Sequence, residues 1–153
     1  MRLLIPLMLG LAACAPQYVE REITSDQDLP VRKAFFESRP KPLEDAFRAS
    51  CTAPGDTYKR VSQELVQCRI LPAPDLAAFL VLEFDGALEA PTLIKQKKTE
   101  TRGEEYLVEM SYYAEVIQKS VSPRRIFFQQ RRLDRLVDEL LSAAGGRPSP
   151  SET

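Results

Sequence analysis

The clearest pattern along the chain is a pair of runs in which apolar and polar residues alternate. The runs cover residues 92–101 and 105–118, and Arg102-Gly103-Glu104 separates them. In the second run the residues on the more apolar side are Tyr106, Val108, Met110, Tyr112, Ala114 and Val116. Alternation with a period of two is typical of a β-strand, and a short turn containing glycine between two such runs predicts an antiparallel hairpin. A further, shorter strand is predicted at residues 124–129, "RRIFFQ".

Three other segments have the pattern of helices. The clearest lies near the C-terminus, where apolar residues recur at intervals of three, four and seven positions: Leu133, Leu136, Val137, Leu140, Leu141 and Ala144. Gly145 follows them where a helix often ends. A short helix is predicted from Pro42, and another between Pro74 and Asp85. Residues 76–82 of this last helix are apolar on every side, which predicts that it is buried.

Residues 58–67 fit two different structures. Val61, Leu65 and Cys68 would share one face of a helix, but the same segment also alternates as a strand does. Short runs of this kind are not resolved by periodicity alone. A strand is favoured for residues 65–71, because two prolines end the segment and β-branched residues appear towards its end.

Together these elements predict an α+β fold, with a small antiparallel sheet of three or four strands and helices packed on one of its faces. A chain of 153 residues has room for one small domain of this kind. The elements place that domain at residues 41–145. Residues 146–153, "GRPSPSET", have the composition of a disordered tail.

The first fourteen residues have the layout of a secretory signal. Arg2 supplies a positive charge, and an uncharged apolar run follows it as far as Ala13. A membrane-spanning helix needs roughly 20 apolar residues, so this run is too short to predict a permanent transmembrane anchor.

The signal ends in Leu11-Ala12-Ala13-Cys14, which resembles the lipobox of bacterial lipoproteins. In that family a lipid is attached to the cysteine thiol, the signal is removed just before it, and the new amino terminus is acylated. The resemblance implies a signal peptide over residues 1–13 and a mature chain that begins at a lipidated Cys14. Several acyl chains anchor a protein durably, whereas one chain does so only marginally. The alternative is an incidental Cys14 and ordinary signal cleavage nearby.

In bacterial lipoproteins, the residue after the lipidated cysteine influences whether the protein stays in the inner membrane or is transported to the outer membrane. In the lipoprotein family an aspartate at this position favours retention in the inner membrane of a Gram-negative cell. Here the residue is Ala15. The resemblance therefore implies a lipid-anchored protein on the periplasmic side of the outer membrane.

Residues 14–40 mix charged residues with few periodic apolar positions. Behind a lipid anchor, this composition predicts a largely disordered tether that holds the domain off the membrane. Phe35 and Phe36 are the exception. They either pack on the domain's own core or bind a partner, because exposed aromatic residues are concentrated at interfaces.

Cys51 and Cys68 remain once Cys14 is assigned to lipidation. An even pair of cysteines in an exported protein predicts a disulfide, because the bacterial periplasm is oxidising. A redox-active pair is the alternative. Thiol oxidoreductases, however, hold their two cysteines in a C-x-x-C motif, and these two are far apart in the sequence.

Composition excludes several classes of function. The formal net charge is −1, whereas a nucleic-acid-binding protein carries a basic surplus, so no nucleic-acid partner is expected. The chain has no histidine, which removes the commonest general base and the commonest metal ligand. The sequence has no glycine-rich phosphate loop and no metal-ligand motif, so neither a cofactor nor a metal is expected.

Catalysis without histidine could still use paired carboxylates, as glycosidases do. The candidates are Glu83 with Asp85 and Glu104 with Glu105. The first pair lies at a predicted helix end and the second in a predicted turn. Acidic residues at such places are normally solvated, so no catalytic residue is assigned.

Basic residues in the predicted hairpin are candidates for binding an anionic lipid surface or an acidic partner. They include Lys95, Lys97 and Lys98. Lys95 and Lys97 share one side of their strand, which predicts a charged stripe that faces away from the helices. A solvated face balanced by neighbouring acidic residues is the alternative.

The sequence therefore predicts a non-enzymatic envelope lipoprotein that acts as a binding or assembly module at the outer membrane. Its partners would be the membrane, through the lipid on Cys14, and another envelope protein. Two other functions stay open: a carboxylate-dependent cell-wall hydrolase, and a carrier of a small apolar ligand held between the sheet and the helices. The carrier would need a sizeable pocket in place of a packed core.

Overall fold

The computed structural model describes residues 20–23, 28–87, 91–119 and 122–149, with the backbone alone for residues 20–22. The predicted signal peptide, residues 1–13, and the predicted lipidation site, Cys14, lie outside these residues. The first part of the predicted tether also lies outside them.

Eight strands and three helices are formed by the described residues. The strands are β1 (Glu20–Ile23), β2 (Arg32–Phe36), β3 (Thr57–Arg60), β4 (Leu65–Ile70), β5 (Thr92–Arg102), β6 (Glu105–Val116), β7 (Arg124–Phe128) and β8 (Arg147–Pro148). The helices are α1 (Lys41–Ala49), α2 (Pro74–Glu83) and α3 (Arg131–Ala143).

The predicted hairpin forms the centre of one antiparallel sheet. β5 and β6 pair along their whole length, and Gly103 in the turn between them has a φ of 66°, which glycine adopts without strain. β4 and then β3 extend the sheet beyond β5. The other edge of β6 is shared, since residues 106–110 pair with β2 and residues 114–116 pair with β7. β1 then pairs with β7, and β8 with β2.

All three helices pack on one face of the sheet. Their buried residues are Leu43 and Phe47 of α1, Leu80 of α2 and Leu141 of α3. Leu43 and Leu141 belong to one cluster with Val108 of β6, and Leu80 belongs to another with Ala114 of the same strand. Val108 and Ala114 point to the same side of β6, because side chains alternate along a strand.

The opposite face of the sheet carries a smaller apolar cluster and several ion pairs. The cluster contains Ile23, Leu29, Ile94, Tyr113 and Phe127. Lys33 pairs with Glu109 at 3.3 Å, and Arg69 pairs with Glu115 at 2.7 Å. Partly exposed ion pairs add little stability. Burial of the apolar clusters therefore supplies most of the stability of the sheet.

The predicted disulfide between Cys51 and Cys68 is present, with Cα atoms 5.7 Å apart. Cys51 follows the end of α1, and Cys68 is a fully buried residue of β4. Phe47 of α1 and Val66 of β4 are in the same buried cluster as the bridge. The disulfide therefore fixes the end of α1 against the sheet.

The sheet is larger than the sequence predicted. Eight strands join it in the described part of the chain, instead of three or four. β1 and β2 come from residues 14–40, so the prediction of a disordered tether is wrong for these two segments. β2 pairs with β6 because Ala34 and Phe36, both buried, fit into the core, while charged residues around them hide this pattern in the sequence.

The end of the chain also differs from the prediction. Residues 147 and 148, predicted as part of a disordered tail, form β8 and pair with β2. Gly146 allows this close approach, because a Cβ there would lie 2.6 Å from the ring of Phe36 and 2.8 Å from the carbonyl oxygen of Leu141. The ordered part of the chain therefore extends beyond the predicted domain of residues 41–145 at both ends.

The local predictions in the middle of the chain agree with the structure. The three predicted helices are present, and so is the short strand at residues 124–128. Residues 58–67, which fitted either a helix or a strand, contain most of β3, a turn and the start of β4. The strand is favoured because Val66 and Cys68 are buried on alternate positions while β4 pairs with β5.

Candidate functional site

α2 does not bury its apolar surface as the sequence predicted. Leu80 is fully buried on the sheet, but Leu76 and Phe79 are 36% and 43% exposed. Leu82 is 83% exposed. The expectation that residues 76–82 are buried is therefore wrong for one side of the helix. Several large apolar side chains left exposed on one helix are typical of a binding surface.

An apolar groove of about 550 Å³ lies beside α2 on the helix-bearing face of the sheet. Leu76 and Phe79 form one wall, and Leu133 near the start of α3 forms the other. The apolar residues of the floor are Ile70, Leu93, Ala114 and Phe128, which come from four strands. The volume lies in the range of small-molecule sites in proteins, roughly 300–1,000 Å³.

Aromatic packing holds the α2 wall in place. The ring of Phe84 lies edge-to-face with the rings of Phe79 and Phe128, at 6.3 Å in both cases. The guanidinium of Arg124 lies over the Phe84 ring, 5.3 Å from its centre. Each edge-to-face pair contributes about 0.5–1.5 kcal/mol beyond the burial of its area. The groove is therefore preformed between packed elements.

α3 continues the apolar surface beyond the groove. Leu136 and Leu140 follow Leu133 at helical spacing and are 52% and 39% exposed. Leu141, by contrast, is buried in the core. The sheet therefore covers only part of the apolar stripe predicted for this helix, and the rest of the stripe is open to a partner or ligand.

A hydrogen bond joins the groove floor to α3. Tyr112 lines the groove, and its hydroxyl donates a hydrogen bond of 2.8 Å to Asp134 Oδ1. Burial raises the pKa of the Tyr112 hydroxyl well above its usual value, and the bond to a carboxylate acts in the same direction. Lys95 and Asp75, both exposed, are the charged residues that the described part of the chain contributes to the groove lining.

The structure separates the three lysines that the sequence placed in one basic surface. Lys95 and Lys97 lie on the helix-bearing face, because they are in register with Cys68 and Val66 of β4. The prediction that their stripe faces away from the helices is therefore wrong. Lys95 lines the groove, whereas Lys97 is 3% exposed and lies in a separate pocket under α1. Lys98 is on the opposite face and forms an ion pair with Glu100.

The two phenylalanines are separated in the same way. Phe36 is 4% exposed and packs in the core with Val108 and Leu141, so it is not available to a partner. Phe35 points to the other face of β2 and is half-buried. The alternative that the pair packs on the domain's own core is therefore confirmed for Phe36, and the hypothesis of partner binding is wrong for this residue.

The carboxylates considered for catalysis lie on the surface. Asp85 pairs with Lys119 at 2.9 Å, and Glu105 forms an ion pair with Arg147. Glu83 and Glu104 are exposed. All four lie outside the groove lining.

Three side chains with metal-binding atoms meet at one place in the described part of the chain. The sulfurs of Cys51 and Cys68 and a carboxylate oxygen of Asp56 lie within 4.8 Å of one another. The two sulfurs are bonded to each other in the disulfide. Because a metal is bound by a thiolate and not by a disulfide sulfur, this group offers no metal site.

No helix among the described residues is long and apolar enough to cross a membrane.

In comparisons with protein-family models, curated proteins and solved structures, nothing matches this chain.

The sequence indicates α2 but not the groove. The all-round apolar character of residues 76–82 is visible in the sequence, but it does not show which neighbours cover the helix. The floor residues come from four strands that are far apart along the chain. A local pattern therefore could not have identified them as one site.

Proposed function

We propose that the protein is a non-enzymatic lipoprotein of the bacterial envelope that binds a small apolar ligand, a single acyl chain, in the groove between α2 and α3. The anchor is supported by the resemblance of residues 11–14 to a lipobox, and the outer-membrane location by Ala15. The binding role is carried by one observation: an open apolar groove of about 550 Å³ beside a helix whose outer side is not buried.

The lining of the groove suits an acyl chain. Both walls and most of the floor consist of leucine, isoleucine, alanine and phenylalanine side chains. Each methylene that leaves water for such surroundings contributes about 0.8 kcal/mol to binding. The exposed ammonium of Lys95 at the groove offers a partner for an acidic head group.

The anchor would also bring the groove close to a supply of acyl chains. Glu20, at the start of β1, pairs with Phe128, which lines the groove. An extended chain spans at most about 3.6 Å per residue, so a lipid on Cys14 would lie within roughly 20 Å of Glu20. A protein anchored in this way holds its groove beside the bilayer, which favours a membrane-derived ligand.

Photocrosslinking with a fatty acid tests this proposal. A fatty acid that carries a diazirine is added to envelopes containing the full-length protein, and light attaches it to neighbouring side chains. Peptide mass spectrometry is expected to find the adduct on α2, β6 and the start of α3. An excess of fatty acid without a diazirine, added before illumination, is expected to occupy the groove and prevent formation of the adduct.

Two leucines of α2 provide matched variants. Leu76→Glu places a carboxylate in the groove wall and is expected to lower the adduct yield about tenfold or more, because a charge beside the acyl chain must be desolvated. Leu82→Glu changes an exposed leucine outside the groove lining, so the yield is expected to stay unchanged. Equal adduct yields from the wild type and Leu76→Glu would contradict the proposal. So would an adduct whose yield does not fall in the presence of excess unlabelled fatty acid.

Assembly with a partner protein is the second candidate function. It is favoured by the exposure of Leu82, which lies on α2 outside the groove. A photoreactive amino acid at position 82 would then give a crosslinked product of one defined mass. If a partner protein docks at this position, Leu82→Glu abolishes binding of the partner. Assembly is the function, in place of ligand binding, if the wild type also gives no fatty-acid adduct in the groove.

The hydrolase hypothesis has less support. A glycosidase places two carboxyl groups about 5–9.5 Å apart around the bond that it cleaves. Among the residues that the structure describes, Asp75 is the one carboxylate in the lining of the groove. The acidic pairs considered from the sequence lie elsewhere on the surface.

A further inference from the structure

A second pocket, smaller and polar, lies under α1. Its volume is about 110 Å³, and none of the residues that line it lines the groove. α1, the segment from β3 to β4, and β5 surround it. The pocket has room for a few water molecules or one small ionic group, and it is well below the roughly 300 Å³ of a site for a drug-sized molecule.

Lys97 brings a buried positive charge to this pocket. Its side chain is 3% exposed, and its register neighbours in β4 and β6 are the apolar residues Val66 and Met110. Its Nζ donates a hydrogen bond of 2.9 Å to Thr99 Oγ1. Among the described residues no carboxylate lies within 4.0 Å of Nζ. An ammonium has three N–H donors, so a single hydroxyl leaves most of its capacity unused.

The surroundings of Lys97 do not neutralise its charge. Burial lowers the pKa of the Lys97 ammonium, Arg39 and Arg60 lower it further, and Glu44 acts in the opposite direction. The carboxylate of Glu44, however, already accepts a hydrogen bond of 2.9 Å from Arg39 Nε. A buried charge is costly unless it is paired. A bound anion would provide the missing partner.

The lining of the pocket carries more positive than negative charge. Its cationic residues are Arg39, Arg48, Arg60 and Lys97, and its acidic residues are Glu44 and Asp45. The guanidinium of Arg48 lies over the ring of Tyr58, 5.1 Å from the centre, which holds it at the rim. Arg60 is exposed at the end of β3 and forms no ion pair with the described residues.

We propose that this pocket binds a phosphate-type oxyanion, with Lys97 at its base and Arg48 and Arg60 at its rim. The oxygens of the anion would accept hydrogen bonds from the remaining N–H groups of Lys97 and neutralise its buried charge. Guanidinium and ammonium groups are the side chains that most often bind phosphate, because their hydrogen bonds to it are charge-assisted. The volume suits one tetrahedral group, which belongs either to free phosphate or to a lipid head group.

Calorimetric titration of the full-length protein with inorganic phosphate tests the site, in non-ionic detergent with the ionic strength kept constant by chloride. Lys97→Met removes the charge but keeps an apolar side chain of similar length, and it is expected to weaken binding at least tenfold. Lys98→Met is the matched control. Lys98 is the next residue of β5 and lies on the opposite face of the sheet, outside both the pocket and the groove, so phosphate affinity is expected to stay at the wild-type value.

A second variant keeps the test independent of folding. Arg60→Gln changes an exposed residue at the rim and is expected to weaken phosphate binding several-fold without changing the far-ultraviolet circular dichroism spectrum. The absence of measurable binding to the wild type at millimolar phosphate would overturn the proposal. So would a Lys97→Met variant that binds phosphate as tightly as the wild type.

sn-Glycerol 3-phosphate, which has the head-group phosphate of a lipid but no acyl chain for the apolar groove, distinguishes the two sources of the phosphate group. Equal affinities for this compound and for inorganic phosphate identify free phosphate as the ligand. Tighter binding of glycerol 3-phosphate, still lost in Lys97→Met, identifies the phosphate of a lipid head group. Binding of glycerol 3-phosphate that Lys97→Met does not change would place it outside this pocket and overturn the proposal for a lipid ligand.

Discussion

Tyr112 shows how one polar contact joins the sheet to a helix at the edge of the groove. Its pKa is raised by burial and by the hydrogen bond to Asp134, while a hydrogen bond with the backbone of Gln130 and the charge of Arg32 act in the opposite direction. The folded protein therefore holds the hydroxyl proton more tightly than the unfolded chain does. This stabilisation is complete below the ordinary tyrosine pKa of about 10 and is lost as the pH rises towards the folded-state value.

Replacing Tyr112 with phenylalanine is expected to lower the free energy of unfolding by about 2 kcal/mol at neutral pH, the typical contribution of a hydrogen bond to a charged acceptor. The difference from the wild type should stay constant up to about pH 10 and shrink above it. Urea unfolding followed by circular dichroism at several pH values measures both effects.

The control for this prediction is Tyr106→Phe. The hydroxyl of Tyr106 has no hydrogen-bond partner among the described residues, so this change is expected to alter the free energy of unfolding by less than about 0.5 kcal/mol. If Tyr112→Phe is no less stable than Tyr106→Phe at neutral pH, the hydrogen bond to Asp134 does not stabilise the protein.

At the scale of elements, the sequence pattern predicts those helices and strands whose structure is determined by residues close together in the sequence. The hairpin of β5 and β6 and the amphipathic helix α3 have long, regular patterns, and the structure contains them. β2 has five residues, and its buried positions are Ala34 and Phe36. Their place in the core is created by Val108 and Leu141, which are far away in the sequence. Such a strand cannot be distinguished locally from a tether.

The disulfide acts between two elements, α1 and β4. Its two cysteines are 17 residues apart in the sequence, so the cross-link restricts a loop of the unfolded chain and contributes about 3 kcal/mol in the chain-entropy model. The double variant Cys51→Ala/Cys68→Ala is therefore expected to lose about 3 kcal/mol of unfolding free energy. Urea titrations with and without a thiol reductant measure the loss, and the reductant should have no effect on the double variant.

Hydrogen exchange shows where the disulfide acts. β3 lies between the two cysteines in the sequence, and among the described strands it pairs with β4 alone. Reduction is therefore expected to speed amide exchange in β3 and at the end of α1 while the centre of β6 stays protected. Equal acceleration in β3 and β6 would argue that the bridge stabilises the whole domain and not this edge.

At the scale of the whole molecule, the sequence predicts the class of fold better than the sites. The α+β class, the helices and the disulfide follow from periodicity and cysteine count. The candidate sites depend on which face each residue takes. Lys95 lies in the groove, Lys97 in a buried pocket and Lys98 in an ion pair. The spacing of the three lysines does not predict these places, because the register of β5 with β4 and β6 determines them.

The extent of the sheet changes the distance from a bilayer at which a lipid on Cys14 would hold the domain. Residues 14–40 were predicted to separate the domain from the membrane, but β1 begins at Glu20. A chain from Cys14 to Glu20 reaches at most roughly 20 Å. A lipid on Cys14 would therefore keep the β1–β7 end of the sheet close to the bilayer.

Labelling with palmitate tests the anchor on which this geometry depends. The wild-type chain is expected to incorporate labelled palmitate and to lose residues 1–13. Cys14→Ser lacks the thiol that accepts the lipid, so it should incorporate no label and keep the signal, which mass spectrometry of the intact chain detects. Cys51→Ala removes a different cysteine and should be labelled like the wild type. Label that persists in Cys14→Ser would show that the lipobox resemblance is misleading, and the groove would lose its proposed place beside the bilayer.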